Sequence, residues 1–223
     1  MMEDMRHWTP RKLPTTVPLE GRYVRIEPLS VKAHAQDLFE ASYVENADDK
    51  FRWLPELPPT DLTSFSNWMA TASVREDPLF YAIIDKATSK VAGRQALMRI
   101  DKANGVIEIG NIYWGPLIAR KAAATEALYL FAKHVFEGLE YRRFEWKCND
   151  ENVPSKKAAL RFGFQYEGTF RQHLIVKGLN RDTAWYAMID KDWPELRRAY
   201  EAWLDPSNFD ANGQQKKRLE DLR

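Results

Sequence analysis

Two stretches of the 223-residue sequence carry residues whose types and spacing suit the handling of an anionic, amide-bearing ligand. The first runs from Val106 to Ala127. It reads as a strand, a short loop and a helix opening on small residues, with Ala119 in the loop and Ala122, Ala123, Ala124 and Thr125 at the helix start. A helix N-terminus presents unpaired backbone N–H groups and a partial positive charge, which suits phosphate, and small side chains let a ligand approach the backbone. Arg120 and Lys121 stand where the helix dipole disfavours cations, so they make more sense if an anion sits there. An ordinary strand-to-helix turn is the competing reading.

The second stretch, Cys148-Asn149-Asp150-Glu151-Asn152-Val153-Pro154-Ser155, leaves a strand and opens a helix. Asn, Asp and Ser are first of all turn and capping residues. The functional reading is that Asn149 or Asn152 hydrogen-bonds the ligand while Ser155 offers a hydroxyl to a leaving group. Cys148 reads better as a buried strand residue than as a nucleophile.

The elements that must position these residues follow from periodicity. Residues 1–21 read as an extended arm, since Pro10, Pro14 and Pro18 remove backbone donors. Arg22 to Leu29 alternates as a first strand, Ser30 caps a helix through Phe39, and a second helix spans Asp61 to about Arg75. Between the helices, Phe51, Trp53, Leu54 and three prolines predict a packed loop. Leu79 to Ile84, Lys90 to Ile100 and Val106 to Trp114 read as strands, the last two joined at Ala103-Asn104-Gly105.

A helix from about Lys121 to Gly138 shows one apolar face, Ala124, Leu128, Phe131 and Val135. Arg143 to Cys148 alternates as a strand, and a helix from about Pro154 to Phe162 stops at Gly163. Phe164 to Glu167 and Thr183 to Asp190 close the sheet before a terminal helix, Pro194 to Leu204, and a polar tail over 205–223. One α/β (α+β) domain over residues 22–204 is the economical architecture.

Bulk properties narrow the chemistry. Thirty-three basic and thirty-two acidic residues leave a net charge of +1, which does not favour nucleic acid or an anionic membrane as partner. The lone Cys148 excludes an internal disulfide and a thiolate-rich metal site, and fits a reducing compartment. With no apolar leader and no stretch long enough to span a bilayer, a cytoplasmic location is expected.

In order and spacing, the two stretches resemble the GNAT acetyltransferase superfamily. Ile109-Gly110-Asn111-Ile112-Tyr113-Trp114-Gly115-Pro116, followed by Ala119 to Ala127, looks like its pyrophosphate-binding strand, loop and helix. Asn149 to Ser155, then Ala159-Leu160-Arg161-Phe162-Gly163-Phe164, looks like its next motif. Glu167-Gly168, Arg171 and Asp182 are similar to the branch containing the ribosomal-protein alanine and serine acetyltransferases. The similarity covers roughly residues 20 to 190.

The resemblance implies a central mixed, mostly antiparallel, splayed sheet flanked by helices. It implies acetyl-CoA as co-substrate, without a metal, held by Ile112, Tyr113 and Trp114, the run Ala119 to Thr125, and Asn149, Asn152 and Ser155. A primary amine, on a protein N-terminus or a small molecule, attacks the thioester directly, and the backbone near Ile112 polarises the carbonyl. Ser155 matches the hydroxyl position of the ribosomal-protein branch. Glu108 is the first candidate base, ahead of His173 and Glu167, with a solvent-facing strand residue as its bland alternative. A monomer or homodimer is expected.

Departures from the pattern are specific. Ala119 stands where Gln is common and Ala122 where Gly is common, so the loop is expected to be shaped differently or to bind more weakly. Ala159 replaces a frequent general-acid tyrosine. These departures keep a second reading open, a non-catalytic acyl-CoA-binding or sensor module on the same fold.

Overall fold

The apolar run Leu79–Ile84 is buried throughout because the strand it forms is covered on both faces. Tyr81 and Ile83 enter one cluster of core residues, while Phe80, Ala82 and Ile84 enter another on the opposite face, as the two-residue period of a strand requires. In chain order the elements of the computed structural model, which describes residues 4–223, are β1 (Leu19–Glu20), β2 (Val24–Pro28), α1 (Val31–Ser42), α2 (Ala47–Phe51), α3 (Leu62–Ser73), β3 (Leu79–Asp85), β4 (Lys90–Asp101) and β5 (Val106–Trp114). They continue with α4 (Ala122–Lys133), β6 (Arg143–Asn149), α5 (Val153–Phe162), β7 (Gln165–Val176), β8 (Leu179–Ile189) and α6 (Trp193–Leu204).

These strands form one eight-stranded sheet in the order β1-β2-β3-β4-β5-β6-β8-β7. Every neighbouring pair is antiparallel except β5–β6, which is parallel and therefore needs the crossover that α4 supplies. α4 and α6 contribute Leu128, Phe131, Tyr200 and Trp203 to the larger core cluster. α1 and α3 cover the other face with Leu38, Phe65 and Met69, packed on β3 and β4.

Local chemistry sets the element ends much as the sequence predicts. Ser30 accepts from the Ala33 amide and Asp61 from the Ser64 amide, capping α1 and α3. Gly163 ends α5 in the left-handed conformation, φ 95°. Four features differ from the sequence reading. The loop after α1 contains the short helix α2, and the long central helix leaves α-geometry at His134, finishing as a π turn over His134–Gly138. The two closing strands are the ends of a much longer hairpin, turned at Lys177 and Gly178, both with positive φ. The segment after α6 is not a loose tail, because Leu219 is buried in the main core and Asn208 ties the segment together from a buried position.

One buried carboxylate ties the N-terminal segment to α4. Glu126 accepts from the Arg22, Tyr23 and Val24 amides at 2.8, 2.6 and 2.8 Å. Gly21 precedes them because a Cβ there would meet a Glu126 oxygen at 2.4 Å. The arm before it docks on side chains of the sheet and of the segment before β6. Tyr81 and Tyr141 donate to the Thr15 and Lys12 carbonyls, and Trp8 donates to the Ala103 carbonyl. A Gln at 126 brings an NH₂ where three donors already converge. Glu126→Gln is expected to cost about 3 kcal/mol, read as a lower urea midpoint at unchanged slope.

Candidate active site

The site begins where β5 and β6 part. Their parallel pairing runs from Val106/Arg143 to Ile109/Trp146 and stops there, although both strands continue. On the β4 side the register slips between Arg94 and Ala96, and Asn111 takes a left-handed φ of 49°, which places a bulge in β5. The fully buried Arg94 holds that bulge. Its guanidinium donates to the Asn111 carbonyl at 2.8 Å, pairs with Glu56 and lies over the Trp68 ring. Burial lowers its pKa to about 9, which still leaves it charged at neutral pH.

Three aromatic rings fill the base of the gap. Trp114 meets Trp146 and Phe162 edge-on, with centroids 6.4 and 5.8 Å apart. Above them opens a cleft of about 980 Å³. One wall is the end of β5, from which Ile112, Tyr113 and Trp114 contribute. Another is the turn into α4, with Ala119, Arg120, Lys121, Ala122, Ala124 and Thr125. The third is α5, with Asn152 and Ser155.

The turn into α4 does not place its left-handed residue at the position where glycine is common. Ala122 is simply the first helical residue, and the left-handed position is Arg120, φ 62°. The N-cap is Lys121, which makes no side-chain capping bond, and of the first-turn amides of α4 Ala124 donates to the Lys121 carbonyl at 3.2 Å. Their positive end faces the cleft together with Arg120 and Lys121.

Ser155 is held by two contacts. Its amide donates to Asn152 Oδ1 at 3.1 Å, the cap of α5, and its Oγ accepts from Trp146 Nε1 at 2.9 Å. A hydroxyl that accepts from Trp146 keeps its own proton to donate. Burial raises the neighbouring Cys148 thiol, which the Ser155 hydroxyl partly opposes, so the thiol stays neutral. Ala159 is fully buried and offers no acid.

Three residues expected at the site stand apart from the cleft. Ala123 points into the core, and the Asn149 side chain accepts from the Glu151 amide, forming a turn. Glu108 lies on the opposite face of the sheet, next to Gly110, where Arg99 meets it at 2.7 and 2.8 Å and Lys147 at 3.0 Å. Burial raises its carboxyl, while Lys147 and Arg99 oppose the shift. The ion pairs continue from Lys147 to Glu145, then to Arg143 and Glu167. The hydrogen bond from Arg143 lowers the Glu167 carboxyl. His173, whose Nδ1 lies 3.0 Å from Thr183 Oγ1, is lowered by burial and by Arg181, Arg99 and Lys147.

Sequence reasoning missed other cleft residues. Trp146 and Arg161 carry no motif signal of their own beyond the strand and helix they sit on. Phe209 and residues 212–215 come from the segment read as a tail, where Asn212-Gly213 was an available turn signal, and Trp203 comes from the terminal helix.

Comparison with known proteins matches this geometry. The model of the acetyltransferase (GNAT) domain matches residues 24–165. The crystal structure of a GCN5-related N-acetyltransferase from Brucella melitensis is 59% identical, with a TM-score of 0.96 over 97% of this chain and 98% of that one. The "uncharacterized N-acetyltransferase p20" of Bacillus licheniformis is 32% identical over 117 residues, 51% of this chain and 63% of that protein. The ribosomal-protein-serine acetyltransferase of Escherichia coli (strain K12) is 34% identical over 92 residues, 41% of this chain and 50% of that protein. The matched part thus spans between half and two thirds of these two curated relatives. A parted parallel strand pair, a helix opening onto the gap and a family match over most of the sheet lead to one conclusion: the chain belongs to the GNAT family and is an acetyltransferase.

Proposed function

We propose that the chain transfers the acetyl group of acetyl-CoA to a primary amine by direct attack, on a protein N-terminus or a small molecule. The observation that carries this reading is the cleft itself, which joins the gap between β5 and β6 to the uncapped start of α4. The residues present fit coenzyme A. Amides at the start of α4 with Arg120 and Lys121 suit a diphosphate, and the β5 end from Ile112 to Trp114 suits an amide-bearing arm. Acetyl-CoA supplies an activated thioester; the protein supplies position, polarisation and proton traffic.

The cleft and the ion-paired face lie on opposite sides of the sheet, with the parted strands between them. A donor lying in the cleft and an amine arriving at the Glu108 face therefore meet at the gap, where backbone groups near Ile112 polarise the carbonyl. An ammonium gives up one proton before attack and loses a second from nitrogen as the carbon–nitrogen bond forms, while carbon–sulfur cleavage leaves a thiolate that takes up one, so one proton is released to solvent overall. Ser155 donates to the sulfur, since its Oγ accepts from Trp146 and its own proton is left to donate. Glu108 accepts from the amine. The Arg99 side chain is 46% exposed, so an incoming ammonium can take its place against Glu108, one cation exchanging for another.

The alternative, an acyl-CoA-binding module without turnover, rested on the altered loop and the absent tyrosine. The helical start at Ala122 and the oriented Ser155 hydroxyl favour the catalytic reading.

Two outcomes check the assignment. Calorimetry with acetyl-CoA should show binding, and thiol release with a panel of amines should show turnover. Ser155→Ala should lower kcat by about tenfold to a hundredfold while acetyl-CoA affinity stays near that of the parent; equal turnover would remove the donor role. Glu108→Gln should lower kcat/KM at pH 7 by about a hundredfold. The loss should shrink as pH rises toward the amine's own pKa, about 8 for an α-amine, because the substrate then arrives deprotonated. A deficit that stays constant with pH would assign Glu108 to the ion-pair network alone.

A further inference from the structure

On the face of the sheet that carries Glu108, one cation stands outside the chain of ion pairs. Arg99, Glu108, Lys147, Glu145, Arg143 and Glu167 alternate as three cations and three carboxylates, so that chain is balanced on its own. Arg181 of β8 is a further cation beside it. Arg181, Thr183 and Trp185 share one face of their strand. Trp185 pairs with Lys147, whose ammonium lies 3.8 Å from the centre of its ring. Among the described residues no carboxylate comes within 4.0 Å of the Arg181 guanidinium. Asp182, next in sequence, is taken by the Gln172 amide and the Asn180 side chain at 2.7 and 2.9 Å.

A buried hydroxyl holds Arg181 in place. Its Nε donates to Thr183 Oγ1 at 3.2 Å, and His173 Nδ1 lies 3.0 Å from the same oxygen. Burial lowers the Arg181 pKa and Arg99 opposes the charge, while Glu108 and Cys148 favour it. A guanidinium stays protonated through such shifts. Those neighbours place it beside the parted ends of β5 and β6, and it does not line the donor cleft. Next to it the Phe170 ring packs on Trp185 and His173, with centroids 4.5 and 5.6 Å apart, and Phe170 is 52% exposed.

An amine that reaches Glu108 as an ammonium adds a positive charge to a face already holding one cation more than its carboxylates balance. An acceptor that brings its own anion adds none. A partly buried guanidinium with no acid of its own is suited to match that anion, and the exposed Phe170 ring offers an apolar surface beside it. We propose that the acceptor is an anionic amine, a molecule with a carboxylate or phosphate near its amino group, and that Arg181 is the residue that selects it. The inference rests on the acetyl-transfer reading above and narrows its acceptor.

Thiol release from acetyl-CoA with matched pairs of amines tests it. The pairs are an amino acid and its carboxamide, an aminoalkyl phosphate and its amino alcohol, and a peptide amide with Asp or Asn at its second position. In the parent, the anionic member of at least one pair should show kcat/KM, per mole of unprotonated amine, at least about tenfold above its neutral partner. The pair that shows it identifies what carries the anion. Arg181→Gln should bring that member down to the level of its partner, and Arg181→Lys, which keeps the charge, should retain part of the preference. Equal turnover of both members of every pair by the parent, or an equal fractional loss for both in Arg181→Gln, overturns the selection by Arg181 and leaves acetyl transfer intact. Turnover of no member of any pair overturns both.

Discussion

Everything at the site depends on two parallel strands that stop pairing halfway along. A parallel pair with no partner beyond Ile109 and Trp146 leaves backbone donors and acceptors that must be satisfied by something else. Such a gap would close or fray without support, and the support is specific. A bulge at Asn111 turns β5 away, Arg94 pins the bulge from a buried position, and the rings of Trp114, Trp146 and Phe162 occupy the space that would otherwise collapse. Arg94 is costly to bury, but its partners are complete enough to keep it charged, a hydrogen-bonded carbonyl, Glu56 and an aromatic face. The gap is thus a packed feature of the core with a ligand-sized opening above it.

The two faces of the sheet follow different electrostatic rules. On the α4 side, Arg120 and Lys121 face the cleft at the positive end of the helix. On the other side, beyond the cover of α1 and α3, charges alternate along Arg99, Glu108, Lys147, Glu145, Arg143 and Glu167, and the Lys147 ammonium also lies 3.8 Å from the centre of the Trp185 ring. This alternation lets carboxylates and an ammonium sit buried at modest cost. It also makes Glu108 a group whose availability is set by its neighbours rather than by its own exposure.

Local signals in the sequence carried the elements near the site. Capping residues, Gly163 and the alternation of Arg143 to Cys148 located the strands and helices on which the cleft is built. The long hairpin escaped because its distal half is exposed on both faces, so Gln172, Leu174 and Ile175 show no burial period, and register shifts interrupt the pairing. The face on which Glu108 lies was set by the register of β5, but the cations that meet it come from β4 and β6, and no spacing announces that convergence. Ala123 sits between two cleft residues yet points into the core, and the Asn149 side chain is used by its own turn, since neighbours on a helix or at a turn point in different directions. The segment after α6 is polar in composition, and what orders it is the buried amide of Asn208 together with Leu219 in the main core, anchors that composition does not reveal.

The link between Glu126 and the amides of Arg22, Tyr23 and Val24 has a consequence for how the chain is made. Its partners are separated by 102 to 104 residues, and the Tyr23 hydroxyl donates to the Leu204 carbonyl, later still. At translation rates of about 5–20 residues per second, these amides emerge about 5–20 s before their carboxylate partner. That interval is vast beside the microseconds in which a hairpin forms. The amides of Arg22, Tyr23 and Val24 are therefore fastened only once a partner made 102 to 104 residues later has arrived.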